Sequence, residues 1–365
     1  MKKIGLFGGS FDPIHKAHVD IALCAIKELE LDELRLIPTK NNPWKDHTSS
    51  SKEDRIRMIE IAISDYEKIK IERYEIDNPS NEKNYSYMTI DALTQNSDDK
   101  FYFIMGMDQA NLFYKWKEAK YISKKVQLVA FQRGGYTSDE SVLNDYHFIQ
   151  LHNVPINSSS TEIKNGNVDL LDDNVLKYIV SHGLYIDTMI SSYMKEKRWK
   201  HSLSVASLAK QFADANGLNG TSAYIAGIFH DVAKEMDYNQ SYEIMNQYYN
   251  EHIHKPLPVW HQWVSAYVSE HRFKIDDQDI LDAIKWHTTA TIPMNKIAKC
   301  VYCADKLDPL RDYDSSKDIK LCLENIDEGF KNCLISFYDF FTKSGKKVDD
   351  DFLEIYDYYV IKGEI

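Results

Sequence analysis

The chain has 365 residues, 43% of them apolar and 27% charged, which is enough for two ordinary domains with separate cores and unlike a disordered chain; no apolar run approaches the ~20 residues of a membrane span. A formal net charge of −12 argues against a broad nucleic-acid surface, which needs cations to neutralise phosphates, while leaving room for local sites that take small phosphorylated ligands. Met1-Lys2-Lys3-Ile4 runs straight into a strand-like segment without a signal-peptide pattern, and the five scattered cysteines (Cys24, Cys300, Cys303, Cys322, Cys333) read as reduced thiols, so the expected location is the cytoplasm.

The first half alternates strand and helix. Lys2–Phe7 reads as a strand ending in Gly8-Gly9, Ala17–Leu29 as a helix and Glu33–Ile37 as a strand. Ser51 and Asp54 form a capping box before a helix to about Ser64. Ile69–Tyr74 is a strand and Tyr85 to about Gln95 a helix. Phe101–Met105 and Val126–Phe131 are short apolar runs of the kind buried on both faces of a parallel sheet. The order predicts an α/β fold of Rossmann-like form, a parallel sheet with helices on both faces, which binds ligands beyond the carboxyl ends of its strands. From about Ile190 the strand signal stops. Stripes such as Val205, Leu208, Phe212 and Ile225, Phe229, Val232 predict an all-α second half. The expected domains are 1–187 and 190–365. Cys300 and Cys303 form a CxxC inside a helical pattern with no second pair, and read as core thiols.

The densest motif is Gly8-Gly9-Ser10-Phe11-Asp12-Pro13-Ile14-His15-Lys16-Ala17-His18. Two glycines after a strand let the backbone approach a ligand, and the next helix aims free N–H groups at the same spot. His15 and His18, three apart at the helix start, suit the stabilisation of charge developing on a phosphoryl group. No GxxxxGK[ST] and no GxGxxG is present, which sets aside a P-loop and a bound dinucleotide cofactor. A later segment, Ser158-Ser159-Ser160-Thr161-Glu162-Ile163-Lys164, places hydroxyls at a helix start with a cation one turn on. It reads as a phosphate clamp or as a plain helix cap.

With Asn42-Pro43-Trp44-Lys45, Tyr85-Ser86, Thr89, Gly106-Met107-Asp108, Trp116 and Arg133-Gly134 in the same order, residues 1 to about 186 resemble the bacterial nicotinate-nucleotide adenylyltransferases. The resemblance implies attack of the phosphate of nicotinate mononucleotide on the α-phosphorus of ATP. Deamido-NAD forms and pyrophosphate leaves with Mg²⁺, by positioning and charge stabilisation without a covalent enzyme intermediate. By that likeness the catalytic set is Ser10, His15, His18 and Lys45. ATP would be held by Gly8, Gly9, Ser10, Phe11, His18, Ser159, Thr161 and Lys164. The nicotinate nucleotide would be held by Lys45, Thr89, Gly106, Asp108, Trp116 and Arg133, with Trp116 stacked on the ring. The family usually carries Thr, Gly and Arg where this chain has Ser10, Ala17 and Lys164, and lysine cannot fork onto a phosphate as arginine does. Phosphopantetheine adenylyltransferases share the HxxH motif and are the alternative for this half.

In the second half, six polar groups fall on apolar helix stripes: His201, His230, Asp231, His261, His287 and Asp305. A helix turns such a stripe to the core, and buried polar groups need partners. Six on consecutive helices are explained together by metal, and two ions bridged by Asp231 fit better than one. Imidazole and carboxylate without thiolate suits iron or manganese as well as zinc, and iron is the metal expected. Together with Arg198-Trp199-Lys200-His201, His230-Asp231-Val232-Ala233-Lys234 and Ile284-Lys285-Trp286-His287, the pattern resembles the symmetrical diadenosine tetraphosphate hydrolases of the HD superfamily. That likeness implies cleavage to two ADP, with Arg198 and Lys234 holding substrate phosphates. An HD nucleotidase and a nucleotide-sensing regulatory module are the alternatives. The expected partners are ATP, nicotinate mononucleotide and diadenosine tetraphosphate, with no nucleic acid and no membrane; a homo-oligomer is left open.

Overall fold

The apolar runs of the first half form six strands: β1 (Lys3–Gly9), β2 (Glu33–Pro38), β3 (Ile69–Ile71), β4 (Lys100–Gly106), β5 (Gln127–Phe131) and β6 (Ile149–Gln150). They lie in the order β3-β2-β1-β4-β5-β6, every neighbouring pair parallel. The computed structural model describes residues 1–40, 50–79, 84–152, 159–345 and 347–364. It divides into one unit of Met1–Ile163 with Val168–Val175 and a second of Lys164–Asn167 with Leu176–Ile365.

In the first unit the chain builds outward from β1 to β3, then crosses back to add β4 on the other side of β1. That reversal opens a crevice above the carboxyl ends of β1 and β4, the place where such sheets take ligands. The strands lack polar alternation because both faces are covered. Phe101, Phe103 and Met105 pack with Leu6, Leu128, Phe113 and Ile122, while Tyr102 and Ile104 are buried on the opposite face. Each such side chain contributes roughly 1.5–3 kcal/mol by burial.

The helices of this unit are α1 (Lys16–Glu28), α2 (Lys52–Ala62), α3 (Ser86–Thr94), α4 (Met107–Ala110), α5 (Ala119–Lys125), α6 (Glu140–Asp145) and α7 (Ser160–Lys164); α8 (Asp173–Ser181) runs from one unit into the other. Ser51 caps α2 as expected, its hydroxyl accepting the Asp54 N–H at 3.0 Å, while the Asp54 carboxylate accepts from that hydroxyl at 2.6 Å. Two strands differ from expectation. β3 stops at Ile71 rather than Tyr74: the chain turns over residues 74–77, where the Asp77 N–H donates to the Arg73 carbonyl at 3.0 Å. The two-residue β6, pairing Ile149 with Val129 at the sheet edge, is too short to leave a periodic signal.

The second unit contains no strand among its described residues. Its helices are α9 (Ile186–Ser191), α10 (Glu196–Ala215), α11 (Gly220–Phe229), α12 (Tyr238–Tyr248), α13 (His261–His271), α14 (Gln278–Trp286), α15 (Lys296–Lys306), α16 (Ser316–Glu324), α17 (Ile326–Lys343) and α18 (Asp350–Tyr356). Asn219, Asp237, Asp277, Asn295, Asn325 and Asp349 each accept backbone N–H groups at a helix start, so short polar residues set the helix boundaries. Gly227 lets α10 and α11 close on each other: a Cβ there would lie 2.5 Å from the Ala206 Cα. The Phe337–Phe341 segment belongs to α17 and packs on α18, with the Phe337 and Phe352 rings 4.8 Å apart. No described helix is long and apolar enough to cross a membrane.

Candidate functional site

In the first unit the glycine motif closes β1 at the crevice. Gly8 is exposed, with open space where a Cβ would be, so a ligand can reach its backbone. Gly9 has a different reason: a Cβ there would lie 2.9 Å from the Phe11 ring, which folds back under the turn with φ 45° at Phe11. His15 caps α1 and His18 sits at its third position. The His18 Nδ1 accepts the His15 backbone N–H at 3.3 Å, and the two rings lie 3.8 Å apart. The HxxH spacing is therefore that of a capping box, and Nε2 of His18 is left as the N–H donor. Burial, with the Arg133 charge, holds His15 down to about 4. Burial, then His15 and Arg133, holds His18 well below its usual range. Both rings are neutral at pH 7 in the ligand-free unit.

Ser10 is oriented through its backbone. The buried guanidinium of Arg55 donates to Ser10 O at 3.0 Å, to Thr39 O at 2.7 Å and to Lys40 O at 3.2 Å, tying the loops after β1 and β2 together. The buried Asp12 carboxylate accepts from the Ser50 N–H and hydroxyl. Neither Arg55 nor Asp12 was singled out by sequence; a lone arginine on an amphipathic helix carries no signal of its burial.

Gly106 ends β4, and a Cβ there would lie 2.5 Å from Asp108 Oδ1. Asp108 Oδ2 accepts from Arg133 Nη1 at 2.8 Å, so these two expected nucleotide contacts are paired with each other. Trp116 packs half-buried on Phe113 and Phe103. Thr89 is buried and donates its hydroxyl to Glu75 at 2.7 Å; burial raises the Glu75 carboxyl, which the Thr89 hydrogen bond partly offsets. Ser159 and Glu162 form a reciprocal capping box, with Ser159 N–H to Glu162 Oε2 at 2.7 Å, so the plain-cap reading of that segment is realised locally. Ser160 donates to Pro13 O at 3.0 Å, anchoring α7 to the loop that carries His15, and Thr161 is exposed. Lys164 packs in the second unit, its ammonium 4.4 Å from the centre of the Tyr185 ring. Lys45, with Asn42, Pro43, Trp44 and Ser158, lies outside the described residues.

The second unit brings its six expected polar groups to one place. His201 comes from α10, His230 and Asp231 follow α11, His261 opens α13, His287 follows α14 and Asp305 lies on α15. Asp231 is central: Oδ1 is 3.2 Å from His261 Nε2 and 3.7 Å from His287 Nε2, and Oδ2 is 3.4 Å from His230 Nε2 and 4.0 Å from His201 Nε2. Asp305 Oδ1 lies 3.2 Å from His201 Nε2. His201, His230 and Asp305 form one group of mutually close donor atoms, and His230, Asp231 and His287 another.

The opposite nitrogen of each ring is held. His230 Nδ1 meets Gly227 O at 2.6 Å, His287 Nδ1 meets Ile284 O at 2.7 Å, His261 Nδ1 meets Pro258 O at 2.8 Å and His201 Nδ1 meets Asp308 Oδ2 at 2.6 Å. Since a carbonyl or carboxylate only accepts, each Nδ1 carries a proton, and each ring turns its Nε2 inward toward the carboxylates. Burial keeps His261 and His287 below their usual range, hence neutral. Burial alone would raise the Asp231 and Asp305 carboxyls, but His230 beside the first and Lys306 beside the second hold both well below the usual range. Buried His230 Nε2 has no hydrogen-bond partner among the described residues. Asp231 outweighs burial at His230 and holds that ring above its usual range, so the centre gathers imidazole nitrogens and ionised carboxylates, the donor types a divalent cation takes up by displacing protons.

Cations line one side of this centre. Arg198 Nη1 lies 2.6 Å from Asp231 Oδ2, Arg311 Nη2 2.9 Å from Asp305 Oδ1 and Lys306 Nζ 3.0 Å from Asp305 Oδ2. Lys234 Nζ sits 3.0 Å from the His261 ring, where burial lowers its ammonium's range. Asp308, Lys306 and Arg311 escaped the sequence reading because each follows the last apolar stripe. Asp308, only 1% exposed, also accepts from Ser204 at 2.6 Å. Asp308→Asn removes the charge that aims His201, and metal affinity is expected to fall about 10–100-fold with the fold intact, as measured by competition with a chelator.

The parallel sheet with its glycine turn and the helical unit with its histidine–aspartate centre define a two-domain protein of the nucleotidyltransferase and HD classes. Residues 6–166 match the family model described as cytidylyltransferase-like, and residues 198–310 match the HD domain. A protein of Mycoplasma genitalium named "Probable nicotinate-nucleotide adenylyltransferase/Ap4A hydrolase" is 32% identical over 85% of this chain and 88% of its own length. A Mycoplasma pneumoniae protein of the same name is 29% identical over 84% and 88%. A crystal structure of a predicted HD superfamily hydrolase involved in NAD metabolism, from Clostridium acetobutylicum, aligns at 25% identity over 48% of this chain and 96% of its own, with a TM-score of 0.42. The chain belongs to the family of fused nicotinate-nucleotide adenylyltransferase/Ap4A hydrolase proteins.

Proposed function

We propose that the first unit transfers the adenylyl group of ATP to nicotinate mononucleotide, and that the second hydrolyses diadenosine tetraphosphate to two ADP. The observation that carries the hydrolase reading is the convergence of four imidazole Nε2 atoms and two carboxylates in one buried place, each ring aimed by a hydrogen bond at Nδ1. The name of a relative that matches 85% of this chain supports the transferase reading.

In the transferase, a phosphate oxygen of nicotinate mononucleotide attacks the α-phosphorus of ATP. The bond from that phosphorus to the bridging oxygen breaks, and pyrophosphate leaves with the electron pair. Mg²⁺ carried with ATP supplies charge neutralisation. The Gly8 and Gly9 backbone and the start of α1 receive the phosphates. Nε2 of His18 donates to charge developing on the polyphosphate, with His15 beside it and Lys45 adding a cation. Asp108, paired with Arg133, and Trp116 orient the nicotinate end; Thr89 shapes the same wall, and Ser159 and Thr161 serve ATP.

In the hydrolase, water attacks one of the two central phosphorus atoms and the bridge between them breaks, so each product keeps one adenosine and two phosphates. Two bound divalent ions would supply Lewis acidity and an activated water, held by His201, His230, Asp231 and Asp305 on one side and by Asp231, His261 and His287 on the other. Iron fits the ligand set first, with manganese and zinc as alternatives. Arg198 and Lys234 neutralise substrate phosphates beside Asp231. The protein acts in the cytoplasm, in keeping with its five free cysteines.

A substrate panel on the full-length protein, with products identified by mass, tests both halves. Nicotinate mononucleotide with ATP gives deamido-NAD and pyrophosphate, and diadenosine tetraphosphate gives ADP alone. A chelator that strips tightly bound iron abolishes the second reaction, and excess Mg²⁺ keeps the first running. Release of inorganic phosphate from mononucleotides in place of ADP would overturn the hydrolase assignment.

A further inference from the structure

The chain has five cysteines, and three of them, from three different helices, meet at one point: Cys303 on α15, Cys322 on α16 and Cys333 on α17. Their Sγ atoms all lie within 4.8 Å of one another, and the three residues are 0%, 0% and 5% exposed. The approach is close by construction. α17 carries Gly329 opposite Cys322, and a Cβ at that position would run into the Cys322 sulfur. Cys300, one turn before Cys303, is also buried but lies outside the convergent set, and Cys24 belongs to the other unit.

We propose that Cys303, Cys322 and Cys333 form a second metal site, a buried three-thiolate cradle for a soft d10 cation such as zinc(II) or copper(I). Three sulfurs at the usual ~2.3 Å from one ion lie about 4 Å apart, so the set needs little movement to close on it. Thiolates select soft cations. The burial excludes Mg²⁺ and Ca²⁺, which take oxygen ligands and, for Mg²⁺, keep coordinated water. Hydrogen bonds from Cys303 and then Cys333 hold the Cys322 thiol below its usual range, while burial pushes Cys303 well above its own, so the three share one ready thiolate and an ion must displace the other two protons. Each thiol gives its proton to solvent as it ligates, so binding tightens as pH rises. No fourth histidine, cysteine, aspartate or glutamate joins the group among the described residues, a coordination number that copper(I) accepts more readily than zinc. The histidine–aspartate centre has only nitrogen and oxygen donors, so the two sites differ in the metals they take.

The test uses the reduced full-length protein in two arms. In the first, Co²⁺ stands in for zinc, and its sulfur-to-metal charge-transfer absorption reports thiolate ligation alone, leaving the nitrogen–oxygen centre silent. The expected result is a band saturating at one Co²⁺ per chain, weakened about tenfold or more in affinity by Cys322→Ala and unchanged by Cys24→Ala. In the second arm, one Cu⁺ per chain is retained against a competing chelator and lost in Cys322→Ala. A band or retained copper identifies the preferred ion. Wild-type protein that gives neither overturns the proposal and leaves the three thiols as packing, whatever the variants do.

Discussion

Replacing Asp231 with asparagine is expected to lower ADP formation from diadenosine tetraphosphate on the order of a thousandfold, with adenylyl transfer unchanged within about twofold. Asp231 is the one carboxylate whose two oxygens face different imidazole pairs, Oδ1 toward His261 and His287 and Oδ2 toward His230 and His201. A neutral amide keeps the volume but removes the negative charge and puts an N–H donor where one of the two cations should meet an oxygen. Loss of several kcal/mol of charge stabilisation, at about 1.4 kcal/mol per tenfold, gives the stated factor. Metal content should fall in parallel, from two ions per chain to one or none. Arg198 Nη1, 2.6 Å from Oδ2, would lose its counter-charge as well, so KM should rise alongside the fall in kcat. Hydrolysis within tenfold of the unmodified enzyme, at full metal content, would remove Asp231 from the bridging role.

His18→Asn is expected to cost about a hundred- to a thousandfold in kcat for adenylyl transfer, the range seen when one donor to developing charge is deleted. Asparagine separates the two jobs of this ring. Its Oδ1 can replace Nδ1 as acceptor for the His15 N–H, preserving the start of α1, but nothing in it reaches as far as Nε2. The melting temperature should therefore hold while kcat falls, and hydrolysis by the other unit should be unaffected. His18→Ala should add a loss of about 1 kcal/mol of stability by removing the cap. Near-normal kcat in His18→Asn would mean that the ring serves only as a cap.

These histidines also fix the sign of a pH effect. His15 is held near 4 and His18 well below 6.5 in the folded unit, against about 6.5 for both in an unfolded chain. Above about pH 6.5 both states are neutral and the full stability is present. As the pH falls from there toward 4, the unfolded chain takes up protons that the folded unit refuses, and stability declines.

The sheet was legible because strands buried on both faces show as unbroken apolar runs, as at Phe101–Met105. The short edge strand at Ile149–Gln150 was not, since two residues carry no period. The six metal-facing groups were legible because each interrupts an apolar stripe. Asp308 was not: it lies just past α15, where a polar residue is unremarked, and its partner His201 is 107 positions away. Arg55 was hidden for the same reason, since its three carbonyl partners belong to loops that only the tertiary fold gathers. Sequence also recorded the HxxH motif as two groups on one face without revealing that the second caps the first.

Three of the four inward-facing imidazoles in the helical unit take their hold from a carbonyl three positions earlier in the chain: Gly227 for His230, Pro258 for His261 and Ile284 for His287. Their aim is thus a property of one turn of backbone and forms as soon as that turn does. His201 alone depends on a distant carboxylate. Loosening the packing between helices would therefore leave those three rings with their local hold, whereas His201 would lose its aim as soon as α10 parted from Asp308.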